Sequence, residues 1–411
     1  MKRTSLSACL LAALIICTAI SCEKFYINGK STRSQTSSRS GSLRDSIAAL
    51  KGKIVYSAVE FPEGYDWRRD TSYGAVNGKI KLLCSGKELL SLDAGPGTGI
   101  VLSADKHHVV GRHLYTEGPS EAGTVYKKDG ITEFVSTERE LLKGICLYEG
   151  ALYTLSQNAS GEGFVLRKDW EDVFSRKSGC VHGDLSDPAF GDTGAFMTDG
   201  PEPYFVFFTG GGLPHQGGAW YRWSAGSEIE IDIPGVLGTV YDVRLDDGSE
   251  TVVVGRSTAG RGPVLCTGDK VKDYNWTIVG ARKEQDYRLF FEEGQYKFYG
   301  TFRNFSDTPL NTAHWSQSGL EGYTPWDCSI FRGQDYVSRR DGLVEAVECA
   351  GKSYDARGRW FLPSHRCVLW TGKGAVIAMS DLDTGKPLIW ENGTVKTSSF
   401  NGFYSSVSML E

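Results

Sequence analysis

Hydrophobic and polar residues alternate in short runs along most of this chain, and one pattern recurs. A short alternating strand reaches a turn that contains Gly or Asp, and a second alternating strand follows. Long stretches with the 3.6-residue periodicity of an amphipathic helix are nearly absent. The pattern predicts β-hairpins, seven of which lie at 80–90, 124–134, 164–174, 220–230, 264–271, 313–321 and 387–396.

Most of these hairpins follow two further strands, so the repeating unit has four antiparallel strands. In the third unit, Gly144–Tyr148 and Leu152–Leu155 precede the hairpin at 164–174. A unit of about 40 to 55 residues buries neither face alone, whereas radial repetition buries each face against a neighbour. We therefore predict an all-β chain with a single β-propeller of seven four-stranded blades. A two-domain β-sandwich is the alternative.

The two ends of the repeat region complement each other. The first unit begins at Ile54–Phe61 and lacks an innermost strand, whereas an extra alternating segment at 403–410 follows the last unit. We expect these two segments to pair and close the ring, because an open ring leaves unpaired strand edges. The spacing is irregular at Gln334–Pro363, which is either an insertion into the seventh blade or a degenerate eighth blade.

The amino terminus has a separate pattern. Lys2 and Arg3 precede an apolar stretch, Leu6–Ile20, which has signal-peptide length and is too short to span a membrane comfortably. The stretch ends in Ala-Ile-Ser-Cys22, which resembles the lipobox of bacterial lipoproteins. This resemblance implies cleavage before Cys22 and acylation of its thiol. Several acyl chains on one residue anchor a protein stably to a membrane.

These features divide the chain into a signal peptide at 1–21, a lipidated cysteine with a flexible tether at 22–50, and a propeller domain at 51–411. The tether is rich in Ser, Thr and Arg and has too little apolar content to fold alone. The four-strand repeats resemble the degenerate repeats of propeller lipoproteins from Bacteroidetes-type bacteria. This resemblance implies a cell-envelope protein held at the outer membrane, and leaves open whether it faces the periplasm or the surface.

Net charge and cysteine content limit the expected partners and the expected roles of the cysteines. The net charge of −5 gives no indication of nucleic-acid binding. Of the ten cysteines, two leave with the signal and Cys22 takes lipid, which leaves Cys84, Cys146, Cys180, Cys266, Cys328, Cys349 and Cys367. Several of these lie in apolar strand patterns, so we expect small buried hydrophobes. A disulfide is compatible with an oxidising compartment but is not required.

The sequence offers no metal or cofactor motif. His107 and His108 are adjacent in a predicted strand and face opposite sides, so they do not chelate together, and we expect solvated or loop histidines. Asp381-Leu-Asp383-Thr-Gly385 lacks the other carboxylates of a calcium loop and predicts a plain turn. We expect neither a bound metal nor a cofactor.

A candidate ligand site lies on the loops that join the second and third strands of each blade. Three second strands end near an arginine, and the first such loop adds two aromatic residues and a further arginine. Arginine forks and aromatic faces suit carboxylate, phosphate or sugar recognition. The predicted ligand-binding residues are Tyr65, Trp67, Arg68, Arg112, Arg256 and Arg303.

The favoured function is a lipid-anchored, monomeric binding or scaffold module for a glycan, peptide or protein partner. The alternative is a glycan-active hydrolase or lyase with its site at the propeller centre. The chain lacks an intact Asp-box, a zinc motif and a nucleophile elbow, so no catalytic residue is assigned.

Overall fold

The alternating pattern of the repeat region folds into antiparallel strands, as the period of two requires. The computed structural model describes residues 52–409, with gaps at 71–72, 104–105, 112, 186–192, 198–202, 210–217, 225, 247–249, 259–261, 275–280, 293–294, 305–310, 317, 325–327, 333–334, 341 and 372–373. Residues 1–51, which include the signal, Cys22 and the tether, lie outside the described residues.

The first half of the chain forms four four-stranded antiparallel sheets, each a meander. Sheet 1 contains β1 (Ile54–Glu60), β2 (Gly78–Cys84) and β3 (Lys87–Ala94), and its fourth strand comes from the end of the chain. Sheet 2 contains β4 (His107–Val110), β5 (His113–Pro119), β6 (Thr124–Lys128) and β7 (Ile131–Ser136). Sheet 3 contains β8 (Glu140–Tyr148), β9 (Ala151–Asn158), β10 (Phe164–Lys168) and β11 (Glu171–Arg176). Sheet 4 contains β12 (Cys180–Val181), β13 (Tyr204–Thr209), β14 (Ala219–Ser224) and β15 (Ser227–Ile231).

The second half continues the same order. Short 3-10 turns lie at Tyr73–Ala75 and His365–Cys367. Sheet 5 contains β16 (Leu237–Asp246), β17 (Glu250–Ser257), β18 (Pro263–Thr267) and β19 (Lys270–Asp273), and sheet 6 contains β20 (Ala281–Glu292), β21 (Gln295–Asn304), β22 (Asn311–Ser316) and β23 (Gly319–Thr324). Sheet 7 contains β24 (Cys328–Arg332), β25 (Asp335–Arg340), β26 (Leu343–Cys349) and β27 (Lys352–Asp355), and the short strand β28 (Trp360–Phe361) follows it. Sheet 8 contains β29 (Val368–Thr371), β30 (Gly374–Asp381), β31 (Lys386–Glu391) and β32 (Thr394–Thr397).

The expected number of seven blades is not confirmed, because the described strands form eight four-stranded meanders. The segment read as an insertion or a degenerate blade supplies most of a regular meander, β24 to β27. The two-residue strand β28 pairs with β26 on one side and with β30 on the other, so sheets 7 and 8 join into one nine-stranded sheet.

The predicted pairing of the two chain ends is confirmed. The last strand, β33 (Gly402–Met409), pairs antiparallel with β1 from Ile54 opposite Met409 to Glu60 opposite Gly402. The side chain of Ser57 adds hydrogen bonds at this junction, with its Oγ 2.5 Å from Ser405 Oγ and 2.6 Å from Ser406 Oγ. Sheet 1 is thus built from both ends of the described chain.

Most consecutive sheets pack against each other through hydrophobic clusters, although the described residues include no cluster between sheets 6 and 7. Separate hydrophobic clusters join sheets 1 and 2, sheets 2 and 3, sheets 3 and 4, sheets 4 and 5, and sheets 5 and 6. A further cluster joins sheets 7, 8 and 1. Meanders that pack face to face in chain order, with the last against the first, have the arrangement of a β-propeller.

The predicted burial of cysteine is confirmed for five of the six thiols whose side chains are described. Cys84, Cys146, Cys266, Cys349 and Cys367 are buried and unbridged, and Cys180 is half-buried. Burial raises the pKa of the Cys146 and Cys367 thiols to about 12, so both stay protonated and unreactive at neutral pH. In the described part of the chain, no helix has the length and hydropathy needed to cross a membrane.

Candidate functional site

The loop between β1 and β2, where three ligand-binding residues were predicted, docks against another part of the chain. The Trp67 side chain is 2% exposed, and its indole N–H donates to the carbonyl oxygen of Gly385 at 3.1 Å. Tyr65 is half-buried and packs on Phe61 at a ring distance of 5.1 Å. Trp67 is therefore part of the hydrophobic cluster that joins sheets 1 and 2 and offers no face to a ligand.

Arg68 ties the same loop to the turn between β30 and β31. Its guanidinium donates to the carbonyl oxygens of Leu382 and Asp383, both at 2.9 Å, and to Asp66 Oδ1 at 2.6 Å. Within the turn, Asp381 Oδ1 accepts the backbone N–H of Asp383 at 2.9 Å. The guanidinium fork thus holds the first and last sheets together.

The other three predicted arginines are not brought together by any described contact. Arg256 is an exposed residue of β17, opposite Thr239 on one side and Pro263 on the other. Arg303 lies in β21, but its side chain is outside the described ones, and Arg112 is outside the described residues. A shared ligand site for these arginines stays a prediction.

A groove of about 990 Å³ runs between the outer halves of sheets 1 and 8. We call it the junction groove and define it by β1, β2, the β2–β3 turn, β31, β32 and the segment 397–400. Its lining combines aromatic rings, lysines, carboxylates and hydroxyls. The sequence did not indicate this site, because its two walls come from opposite ends of the chain.

Aromatic side chains form the floor of the junction groove. The rings of Tyr56 and Tyr404 lie 5.5 Å apart, and Phe400 packs edge-on against Tyr404 at 5.8 Å. Burial, with Tyr404 and Glu391 nearby, raises the pKa of Tyr56 to about 12. The Tyr56 phenol therefore keeps its proton at neutral pH and is a hydrogen-bond donor on the groove surface.

Paired charges line the groove walls. Lys81 Nζ lies 2.6 Å from a carboxylate oxygen of Glu60 and 3.2 Å from one of Glu88. On the opposite wall, Lys396 Nζ lies 3.5 Å from a carboxylate oxygen of Glu391. These walls therefore offer both hydrogen-bond donors and acceptors to a ligand.

A buried polar cluster missed by the sequence analysis lies where sheet 2 meets the 3-10 turn at 365–367. The Arg366 guanidinium donates to the His107 and Leu185 carbonyl oxygens, both at 3.0 Å, and to His108 Nδ1 at 2.7 Å. His107 and His108 are 0% and 3% exposed, so the expectation of solvated histidines was wrong. A His-His pair in an alternating strand carries no local signal of a partner 258 residues away.

Both histidines of this cluster are neutral at physiological pH. Burial, opposed by a hydrogen bond to the Val101 carbonyl oxygen, lowers the pKa of His107 to about 4. Burial and the Arg366 charge lower the pKa of His108 well below its ordinary value. Because Arg366 donates to Nδ1, the neutral His108 ring carries its proton on Nε2.

Buried carboxylates elsewhere in the described chain are also neutralised by partners. Asp242, fully buried in β16, accepts hydrogen bonds from His182 Nε2 and from the backbone N–H of Leu289, both at 2.9 Å. Burial alone would raise the pKa of Asp242, but Arg244 and His182 lower it below its usual range. Within the described residues, no group of three or more His, Cys, Asp or Glu side chains is arranged to hold a metal ion.

Comparison with known proteins adds little to this description. No protein-family model and no curated protein matches the chain. Among solved structures, a eukaryotic initiation factor is similar at a TM-score of 0.40 and 11% identity, over 80% of this chain and 86% of that one. The β-propeller domain of the Trilobed protease from Pyrococcus furiosus is similar at a TM-score of 0.39 and 10% identity, over 85% of this chain and 94% of that one.

A Pyrococcus horikoshii acylaminoacyl peptidase is similar at a TM-score of 0.37 and 10% identity, over 85% of this chain and 51% of that one. TM-scores and identities this low support no inference about function. The assignment of this chain to the β-propeller class rests on its own strand order and sheet packing.

Proposed function

We propose that this chain is a lipid-anchored cell-envelope β-propeller that binds a glycan, peptide or protein partner in its junction groove. The observation that carries the proposal is the groove itself. Its volume of about 990 Å³ lies at the upper end of the range of small-ligand sites, and it combines an aromatic floor with convergent polar groups. We propose eight blades, with β33 closing the ring in the first.

Binding is favoured over glycan hydrolysis by the ion pairs that the groove carboxylates make. A glycosidase needs one carboxyl group that holds its proton near neutral pH beside one that is ionised. In the junction groove, Lys81 lies between Glu60 and Glu88, and Lys396 pairs with Glu391. Each of these carboxylates is already engaged in an ion pair, an arrangement that suits hydrogen bonding to a ligand.

The groove is tested by screening the mature protein against arrays of peptides and glycans and then comparing variants. We expect Tyr56→Phe, which removes only the hydroxyl, to weaken binding of a captured ligand about threefold to tenfold, the usual worth of one hydrogen bond. Lys270→Glu, an exposed charge change on β19, is the matched control and should leave affinity unchanged. Equal affinities for wild type and Tyr56→Phe, measured by calorimetry, would count against the groove.

The anchor is tested separately at Cys22. We expect cells fed an alkyne fatty acid to label the wild-type protein, and Cys22→Ala to lose the label and move to the soluble fraction, because acyl chains hold the protein on the bilayer. Ser21→Ala keeps a small residue before the cysteine and serves as the control. Label that persists on Cys22→Ala would contradict the lipoprotein assignment but would not bear on ligand binding in the groove.

A further inference from the structure

The turn between β10 and β11 holds a tryptophan where an equivalent turn holds glycine. In sheet 2, the β6–β7 turn is Asp129-Gly130, with both residues at positive φ. In sheet 3, Asp169 and Trp170 take the same conformation, with φ values of 48° and 71°. Two successive positive φ values are those of a type I′ hairpin turn, whose second position favours glycine.

The two turns are equivalent in their hydrogen bonds. Asp129 Oδ1 accepts the backbone N–H of Leu114, and Asp169 Oδ1 accepts that of Leu152, each at 2.9 Å. The backbone N–H of each aspartate donates to the same leucine's carbonyl oxygen at 2.8 Å. Trp170 therefore stands where sheet 2 has Gly130. A bulky side chain in the left-handed region is a true outlier, because its Cβ crowds the backbone.

The strained position places the Trp170 ring on the neighbouring sheet. Its plane is 7° from that of Phe134 with the ring centres 5.4 Å apart, and Tyr126 lies 5.2 Å away. Trp170 and Phe134 are both half-buried, so part of each ring is in contact with solvent. Ile131, which is 69% exposed, shares their face, since it pairs with Lys128 as Phe134 pairs with Tyr126.

Exposed carboxylates and one guanidinium lie beside these rings. Asp172 accepts from Arg167 Nε at 2.8 Å while 64% of its side chain stays exposed, and the guanidinium lies 4.6 Å from the Phe134 ring centre. Glu133 is exposed on β7, next to Phe134. A surface of stacked rings edged by carboxylates matches a ring with one apolar C–H face and hydroxyl donors at its edge, and it repels anionic ligands.

We propose that Trp170 and Phe134 form a binding platform for the hexopyranose rings of a neutral glycan, independent of the junction groove. Both rings also pack against the hydrophobic cluster that joins sheets 2 and 3. A purely structural contact would not require an aromatic residue in the one turn position that disfavours it. Aromatic side chains combine a large apolar face with a polar edge, which is the complement of a sugar ring.

The test uses the mature full chain with cellohexaose, maltohexaose and mannohexaose as neutral probes and tetragalacturonate as the acidic comparator. Calorimetry and tryptophan fluorescence are expected to show binding of at least one neutral hexaose, and none of the uronide. Trp170→Asn keeps a residue that tolerates the left-handed turn, and Trp170→Gly restores the sequence of the equivalent turn. Either variant is expected to bind at least about tenfold more weakly.

Lys270→Glu, an exposed charge change on β19, is the control and should leave hexaose binding unchanged. A hexaose that binds more weakly to Tyr56→Phe but not to the Trp170 variants would place the ligand in the junction groove and overturn the platform, so failure of one site is distinguishable from failure of the other. Circular dichroism melts establish that each variant is folded. Folded Trp170 variants that bind a hexaose as tightly as wild type would overturn the proposal. So would a wild-type protein that binds none of the neutral probes, or that binds the uronide equally well.

Discussion

Truncation of the chain after Asn401 is expected to abolish cooperative unfolding of the whole protein. The deletion removes β33, in which Phe403, Tyr404 and Val407 are 3%, 2% and 1% exposed. Burying a large apolar side chain contributes about 1.5–3 kcal/mol, so the three together contribute about 5 kcal/mol or more. That is comparable to the total stability of a typical domain, about 5–15 kcal/mol. The deletion also exposes the edge of β1.

Differential scanning calorimetry on the truncated and full-length mature proteins checks this expectation. A chain truncated after Met409 keeps all of β33 and is the matched control. The point variant Phe403→Ala, which costs about 3–5 kcal/mol, reports on the same strand if the deletion does not yield soluble protein. A truncated chain with an unchanged melting temperature would show that β33 does not stabilise the rest of the sheets.

The buried ion pair between Glu140 and Arg167 is expected to give the largest single-residue effects. Two hydrogen bonds of 2.7 and 2.8 Å join the side chains, which are 3% and 6% exposed. Burial alone would raise the pKa of Glu140, but hydrogen bonds from Arg167 and Ser136 lower it. We expect Arg167→Met to lower the free energy of unfolding by about 3–5 kcal/mol, because the buried Glu140 carboxylate loses its charged partner. Glu140→Gln should lower it less, because Arg167 keeps its pair with Asp172.

The double variant Glu140→Leu with Arg167→Met is expected to recover much of that loss, since no buried charge then remains without its partner. Urea denaturation of the wild type, Glu140→Leu, Arg167→Met and the double variant forms a double-mutant cycle and yields the coupling free energy. Lys396→Gln breaks the exposed pair with Glu391 and should change stability by at most about 1 kcal/mol. Additive effects of the two buried substitutions would contradict this account.

Local patterns predicted the strands and hairpins well, because side chains in a strand alternate between faces and turns need particular residues. The pairing of 403–410 with 54–61 followed from the same periodicity and from the cost of open sheet edges. Sheet 7, the additional four-stranded sheet, was harder to recognise from the sequence. Its β25–β26 hairpin, Asp335–Arg340 and Leu343–Cys349, interleaves charged residues with the apolar ones and resembles an irregular insertion.

The candidate sites could not be predicted, because their chemistry is set by contacts between distant parts of the chain. Trp67 is an aromatic residue in a loop, as ligand-binding residues often are, but its indole N–H donates to the carbonyl oxygen of Gly385, 318 residues away. Trp170 was visible as an aromatic residue beside Asp169. Only the backbone angles show that it occupies a glycine position.

Strand β33 also has a consequence for how the protein is made. Ser57 and Ser405 are 348 residues apart, yet their side chains meet. Pairing at such sequence separation is slow to form, because a long loop must close first. Sheet 1 therefore remains incomplete until the ribosome has delivered β33. A chain that terminates before β33 leaves the edge of β1 unpaired, and such an exposed edge promotes aggregation and proteolysis.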